Sequence, residues 1–220
     1  MSSAAGATRP VVTIDGPAGP GKSTLGRRLA RDLDLPYVNT GLMYRALTAR
    51  ALREGVDLDD GSALARVLGQ IGFDLDHDAT PPSLRIDGEA PSEDLVAPEV
   101  EASVSGASSH PAVRVAMAEE QRRLGAHGAV MEGRDIGSVV FPDAATKLFL
   151  EAAPDERVAR RTRERETAEG RELVARDRRD ARVNPFVPSP GAVVIDTTGL
   201  SADEVYRRAI AAVRERTHHG

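Results

Sequence analysis

The run Val11-Val12-Thr13-Ile14-Asp15 leads directly into Gly16-Pro17-Ala18-Gly19-Pro20-Gly21-Lys22-Ser23. The first five residues read as a short buried strand. Beyond the loop, Leu25, Leu29 and Leu33 recur at intervals of four with Arg27, Arg28 and Arg31 between them, which reads as a helix. Strand, loop and helix together match the phosphate-binding pattern G-x-x-x-x-G-K-[ST]. Glycines let the backbone curl so that successive N–H groups converge on phosphate oxygens. The helix presents its positive end to the same anion. Gly16, Pro17, Ala18, Gly19, Pro20, Gly21, Lys22, Ser23 and Thr24 are therefore the expected contacts of a nucleotide such as ATP. Lys22 is placed to reach the β- and γ-phosphates, and the Ser23 hydroxyl to join a Mg²⁺ shell. Pro20 has no N–H, so this loop offers one donor fewer than usual, and a poorer phosphate cradle or compensation by neighbouring donors is expected.

The rest of the chain repeats the strand–helix theme. Ala129–Met131, Lys147–Leu150 and Ala192–Ile195 read as buried strands bounded by turn residues, and Pro36–Asn39 is a weaker fifth. A helix is expected from Pro154, with Asp155 and Glu156 in its first turn, and another from the capping box Ser201-Ala202-Asp203-Glu204. Alternating strands and helices predict an α/β fold, a parallel sheet between two layers of helices. Residues 55–110 break the alternation. There Phe73–Asp76 and Leu84–Gly88 flank Thr80-Pro81-Pro82, which predicts a small antiparallel unit inserted in the core. The expected organisation is a flexible tail over residues 1–10, a core of 11–54 and 111–220, and the insert 55–110.

Charge is distributed unevenly. The net charge is −5, yet 27 of the 29 basic residues are arginines, and Lys22 and Lys147 are the two lysines. Residues 50–101 hold 13 acids against 4 arginines, and residues 157–182 hold 10 arginines against 6 acids. Overall acidity argues against a general nucleic-acid binder, while the arginine bias leaves room for local anion sites. Zero cysteines exclude thiol catalysis and cysteine-bound metals. No apolar run approaches the roughly 18 residues of a membrane span. No signal peptide is visible in the first ten residues, so a cytoplasmic protein is expected.

Phosphate loops serve kinases, GTPases, motors and ATPases. A guanine-reading N-K-x-D segment is missing, since the chain has no Asn-Lys pair. The length is short for motors and most oligomeric ATPases. A small-molecule kinase needs a second anion site, for which Arg45, Arg114, Arg134 and the arm over 157–182 are available.

Further segments carry a specific resemblance. These are Ile14–Gly19, Asn39-Thr40-Gly41-Leu42-Met43-Tyr44-Arg45, Glu132-Gly133-Arg134-Asp135-Ile136-Gly137-Ser138, Asp155-Glu156-Arg157 with Arg160-Arg161, Arg176-Asp177-Arg178-Arg179-Asp180, and Ile195-Asp196-Thr197-Thr198. In this order, and over nearly the whole chain from residue 11, the sequence resembles the bacterial cytidylate kinases. The resemblance implies a P-loop NTPase fold with an enlarged monophosphate-binding insert, and transfer of the γ-phosphoryl group of ATP to CMP or dCMP with Mg²⁺. It implies that Thr40, Tyr44 and Arg45 line the monophosphate pocket. Ser105, Arg114 and Asp135 would read the cytosine edge, and Arg134 would hold the CMP phosphate. Asp180 would accept from ribose hydroxyls, with Arg176 and Arg182 bracketing phosphate. Lys22, Arg134, Arg157 and Arg161 would stabilise the transferring group, the last two from a lid arm over 157–182. Glu132 stands where the family more often has aspartate.

The chemistry agrees with these roles. Two polyanions meet only where cations screen them, and arginine grips phosphate oxygens with a two-pronged fork. A carboxylate accepts from the exocyclic amine of cytosine and disfavours the carbonyl that uracil has there. A shikimate-type or adenylate-type kinase is the nearest alternative, opposed by the insert and by Gly133-Arg134-Asp135. A nucleotide-binding switch without acceptor chemistry is the alternative of another class. Small-molecule substrates, no nucleic acid, no membrane and a monomer are expected.

Overall fold

A computed structural model describes residues 9–165 and 186–217. Within them, seven strands form one sheet: β1 (Val11–Asp15), β2 (Tyr37–Asn39), β3 (Phe73–Asp76), β4 (Ser83–Ile86), β5 (Ala129–Glu132), β6 (Thr146–Glu151) and β7 (Val193–Asp196), in the order β3-β4-β2-β5-β1-β6-β7. β1 runs parallel to both neighbours, with Ile14 opposite Glu132 on β5 and Asp15 opposite Phe149 on β6. The loops after β1, β2, β5, β6 and β7 therefore open at one edge, where ligands bind in such sheets.

Alternation along the strands divides the core in two. Val12, Ile14, Val130, Leu148 and Leu150 pack with Leu25 and Leu29 of α1 (Lys22–Asp32) and Val205, Ala209 and Val213 of α7 (Ala202–Thr217). On the opposite face, Val38, Ala129 and Met131 meet α2 (Thr40–Glu54), α3 (Gly61–Leu68) and α5 (Pro111–Gly125) through Met43, Leu47, Leu64, Val113 and Met117. Two helical layers thus cover the sheet, as strands apolar on both faces require. The chain is completed by α4 (Pro98–Ala107) and α6 (Pro154–Arg165). The family of caps is local: Asn39 accepts from Leu42 N at 3.3 Å at the start of α2. Ser201 and Glu204 exchange reciprocal hydrogen bonds ahead of α7, the expected capping box.

The expected antiparallel pair is present, with β3 antiparallel to β4. The structure differs from the sequence expectation in where that pair sits: it joins the main sheet and makes it mixed, since β4 pairs in parallel with β2 at Tyr37 and Ser83, and Tyr37 N donates to Pro82 O at 2.8 Å. A proline-rich turn limits this pairing to a single bridge, which no side-chain pattern announces. Of the expected flexible tail, Arg9 and Pro10 are described, and Arg9 pairs with Asp34 at the surface. No helix among the described residues is long and apolar enough to cross a membrane.

Leu47 is fully enclosed in the α2 layer. Leu47→Ala is expected to lower the unfolding free energy by about 2–5 kcal/mol, read from denaturant unfolding. A loss below ~1 kcal/mol would contradict the packing described.

Candidate active site

Gly16 and Gly21 shape the loop between β1 and α1 with φ of 140° and 94°. A Cβ on Gly16 would lie 2.1 Å from the Leu150 carbonyl oxygen, so the loop can cross the end of β6 only without a side chain here. Lys22 Nζ donates to Gly16 O at 3.0 Å and also to Pro17 O, which holds its ammonium over the loop. Arg157 of α6 reaches the same loop, with Nη1 3.3 Å from Ala18 O. Pro20 is buried, and its carbonyl accepts from Thr197 Oγ1 at 3.2 Å. Arg160 in turn donates to Thr197 Oγ1 and O at 2.9 and 2.7 Å, joining α6 and the end of β7 to the loop.

From the loop, a cleft of about 370 Å³ runs toward the insert. Its lining includes Ala18, Gly19, Gly21, Lys22, Ser23, Thr24, Thr40, Tyr44, Arg45, Ser105, Arg114, Arg134 and Asp135. Residues drawn from five parts of the sequence thus surround one space. Arg134 follows β5 and donates to Gly16 O at 3.1 Å, with its guanidinium 4.8 Å from the centre of the Phe186 ring. At the far end Arg114 of α5 pairs with Asp135. Arg45 of α2 meets Glu101 of α4 at 2.6 Å. Both pairs are largely withdrawn from solvent, where an arginine needs a counter-charge. Burial pushes the Tyr44 hydroxyl up to about 12, so it remains a donor at neutral pH. Thr40 donates its hydroxyl proton to Glu132 O at 2.7 Å and ties the start of α2 to β5.

Two carboxylates brace the cleft floor. Glu132 Oε1 accepts from Ser23 Oγ at 2.7 Å and from Tyr37 OH at 2.5 Å. Burial, and after it the charge of Glu132, hold the Tyr37 hydroxyl well above the ordinary tyrosine range. Asp15 accepts from the backbone N of Ile136 and Gly137 at 2.8 and 2.7 Å. These two bonds fix the first turn of a π-helical segment, Ile136–Val140, which directly follows Asp135.

Of the expected residues, Gly16, Pro17, Pro20 and Arg157 shape the loop without lining the cleft. The side chain of Arg161, and the whole of Arg176, Asp180 and Arg182, lie outside the described residues. Glu101, Tyr37 and Phe186 were not anticipated. Glu101 is one of many acids in the insert, Tyr37 reads as an ordinary strand aromatic, and Phe186 follows an arginine-rich arm without any pattern of its own. The arginine imbalance implied counter-charges somewhere, but not which acid supplies each.

Burial raises the Asp15 carboxyl from 3.8 to about 6, against the pull of its two backbone donors. Its ionisation thus costs more in the folded chain than in the unfolded one, by ~3 kcal/mol. The sign follows: Asp15 makes the fold less stable as pH rises from about 4 through about 6, with no further change above. The melting temperature of the native chain minus that of Asp15→Asn is expected to fall across this window and then level. A difference that is flat from about pH 4 upward would contradict this assignment.

Comparison with known proteins agrees with the geometry. The family model for cytidylate kinase matches residues 12–215. A cytidylate kinase of Pelotomaculum thermopropionicum is 42% identical over 218 residues, covering 93% of this chain and 96% of that protein. Another, from Rhodococcus jostii, is 40% identical and covers 96% of this chain and 97% of its own. A gluconokinase from Sinorhizobium meliloti is 13% identical, covers 97% of each chain and superimposes with a TM-score of 0.51, a likeness of fold alone. With one family spanning the strand, the loop and both ends of the cleft, this chain belongs to the cytidylate kinase family.

Proposed function

We propose that the cleft transfers the γ-phosphoryl group of ATP to CMP or dCMP, giving ADP and CDP or dCDP. The observation that carries this reading is the continuity of one cleft from Lys22 to the Arg114–Asp135 pair. A triphosphate cradled by the loop would point its terminal group along the cleft. A monophosphate between Arg45 and Arg134 would offer an oxygen to it, with its base toward Ser105, Arg114 and Asp135. The protein's contribution is then positioning and charge: Lys22, Arg134 and Arg157 stabilise the transferring group, which needs no covalent help. Asp135 accepts from the cytosine amine, while Arg114 orients the carboxylate and donates to the ring's acceptors. In the native chain, Asp180, Arg176, Arg182 and Arg161 are assigned to the ribose, the phosphate and the lid by their place in the sequence.

The donor set at the loop suits Mg²⁺. Ser23 offers a hydroxyl, and Glu132 carries one buried oxygen, Oε2, that accepts no hydrogen bond among the described residues. Ser23 would hold the ion and Glu132 its hydration shell. When bound, Mg²⁺ neutralises charge on the β- and γ-phosphates. An acidic chain without cysteine that handles small metabolites suits the cytoplasm, where we place it as a monomer, with residues 55–110 as the monophosphate-side unit.

Arg134→Ala is expected to reduce kcat/KM for CMP by about 100-fold, the loss of charged hydrogen bonds to phosphate. ATP affinity should change less than about threefold, since the loop is retained. Turnover near that of the native chain would instead favour a nucleotide-binding switch. Asp135→Asn is expected to narrow the preference for CMP over UMP by about tenfold or more, measured by ADP release with each acceptor. An unchanged preference would remove Asp135 from base recognition.

A further inference from the structure

Glu132 is gripped on one side. Ser23 and Tyr37 both donate to Oε1, while Oε2 is enclosed and accepts nothing among the described residues. Two donors converging on one oxygen stop the carboxylate from turning about its last bond. They also determine which oxygen is left over. Ser23 alone would already leave Oε2 over; the second bond, from Tyr37, holds the carboxylate plane more firmly than one donor can.

The place of Tyr37 is built for the hydroxyl rather than for the ring. β2 and β5 are already joined by backbone pairing, with Tyr37 opposite Val130 and Asn39 opposite Glu132, so the side-chain bond is not needed to connect them. The ring lies against α1 at Gly26, where a Cβ would come within 2.6 Å of Cε2. On the same helix the Arg27 guanidinium stands 5.8 Å from the ring centre. Phenylalanine would fill this space equally well and would spare the cost of burying a hydroxyl. What the hydroxyl adds is the bond to Glu132, made beside the Ser23 hydroxyl that it also meets.

We propose that Tyr37 is a positioning residue for phosphoryl transfer, whose hydroxyl orients Glu132 so that Oε2 serves the hydration shell of the Mg²⁺-nucleotide bound against Ser23. Tyr37 itself touches neither nucleotide nor metal. The proposal rests on the assignment of Ser23 and Glu132 to Mg²⁺ made above.

The test uses the full chain with Tyr37→Phe, Glu132→Gln and the double variant. Phenylalanine keeps the ring beside Gly26, and thermal unfolding verifies that the packing survives. Three quantities are read: Mn²⁺ affinity of the complex with a non-hydrolysable ATP analogue by EPR, affinity for the analogue without metal by calorimetry, and the Mg²⁺ concentration for half-maximal turnover. Tyr37→Phe is expected to weaken Mn²⁺ binding and raise the Mg²⁺ requirement by about fourfold, less than the roughly tenfold that loss of a metal ligand's own partner causes, because Glu132 acts through water. Metal-free binding should stay within about twofold, and in the Glu132→Gln background Tyr37→Phe should add less than about twofold. If Glu132→Gln weakens Mn²⁺ binding and Tyr37→Phe does not, the positioning role is wrong while the Mg²⁺ assignment stands. If neither substitution affects the metal, both are wrong. Parallel loss of metal-free and metal-bound affinity would make Tyr37 merely structural and overturn the proposal as well.

Discussion

The pairing of β1 with β5 is the constraint from which the rest follows. With Ile14 opposite Glu132, the phosphate loop and the segment Glu132–Asp135 leave the sheet side by side. Asp15 reinforces the arrangement by accepting from Ile136 and Gly137, so the strand that feeds the loop also fixes the turn behind Asp135. The residues proposed to hold the donor phosphates and the acceptor base are consequently positioned by one pair of adjacent strands. A shift of one residue in their register would turn Glu132 away from Ser23 and move Arg134 from Gly16.

Charge is managed by pairing. Arginines in a partly enclosed cleft cannot stand without counter-charges. Arg114 has Asp135, and Arg45 has Glu101, which arrives from the insert on α4. The Arg45 pair ties the insert to the core at the point where the monophosphate is expected. It also shows why an acidic chain can handle anions: the acids neutralise and orient the arginines, and their placement matters more than the net −5.

How much of this was legible in the sequence depends on how local its cause is. The loop, its strand and its helix were, because Gly16, Gly21, Lys22 and the leucine spacing of α1 act over a few residues. The capping box before α7 and the acidic first turn of α6 were legible for the same reason. The hairpin was expected as antiparallel and is so, but its attachment to β2 depends on one backbone bridge that leaves no pattern. Glu101 and Tyr37 depend on contacts between residues 56 and 95 positions apart. Arg114 was available for a second anion site from the charge pattern, but only the resemblance to the cytidylate kinases brought Thr40 and Ser105 beside it ahead of the structure, and the fold then gathered them around one cleft.

Whether the cleft selects a cytidine monophosphate is decided by steady-state ADP release with CMP, dCMP, UMP, AMP and GMP at saturating Mg²⁺-ATP. CMP and dCMP should give the highest kcat/KM, because Asp135, in the proposed pose, accepts from an amine that uracil lacks, beside Arg114 and Ser105 in the lining of the cleft. A higher value for UMP, AMP or GMP, or ADP release that no monophosphate accelerates, would contradict it.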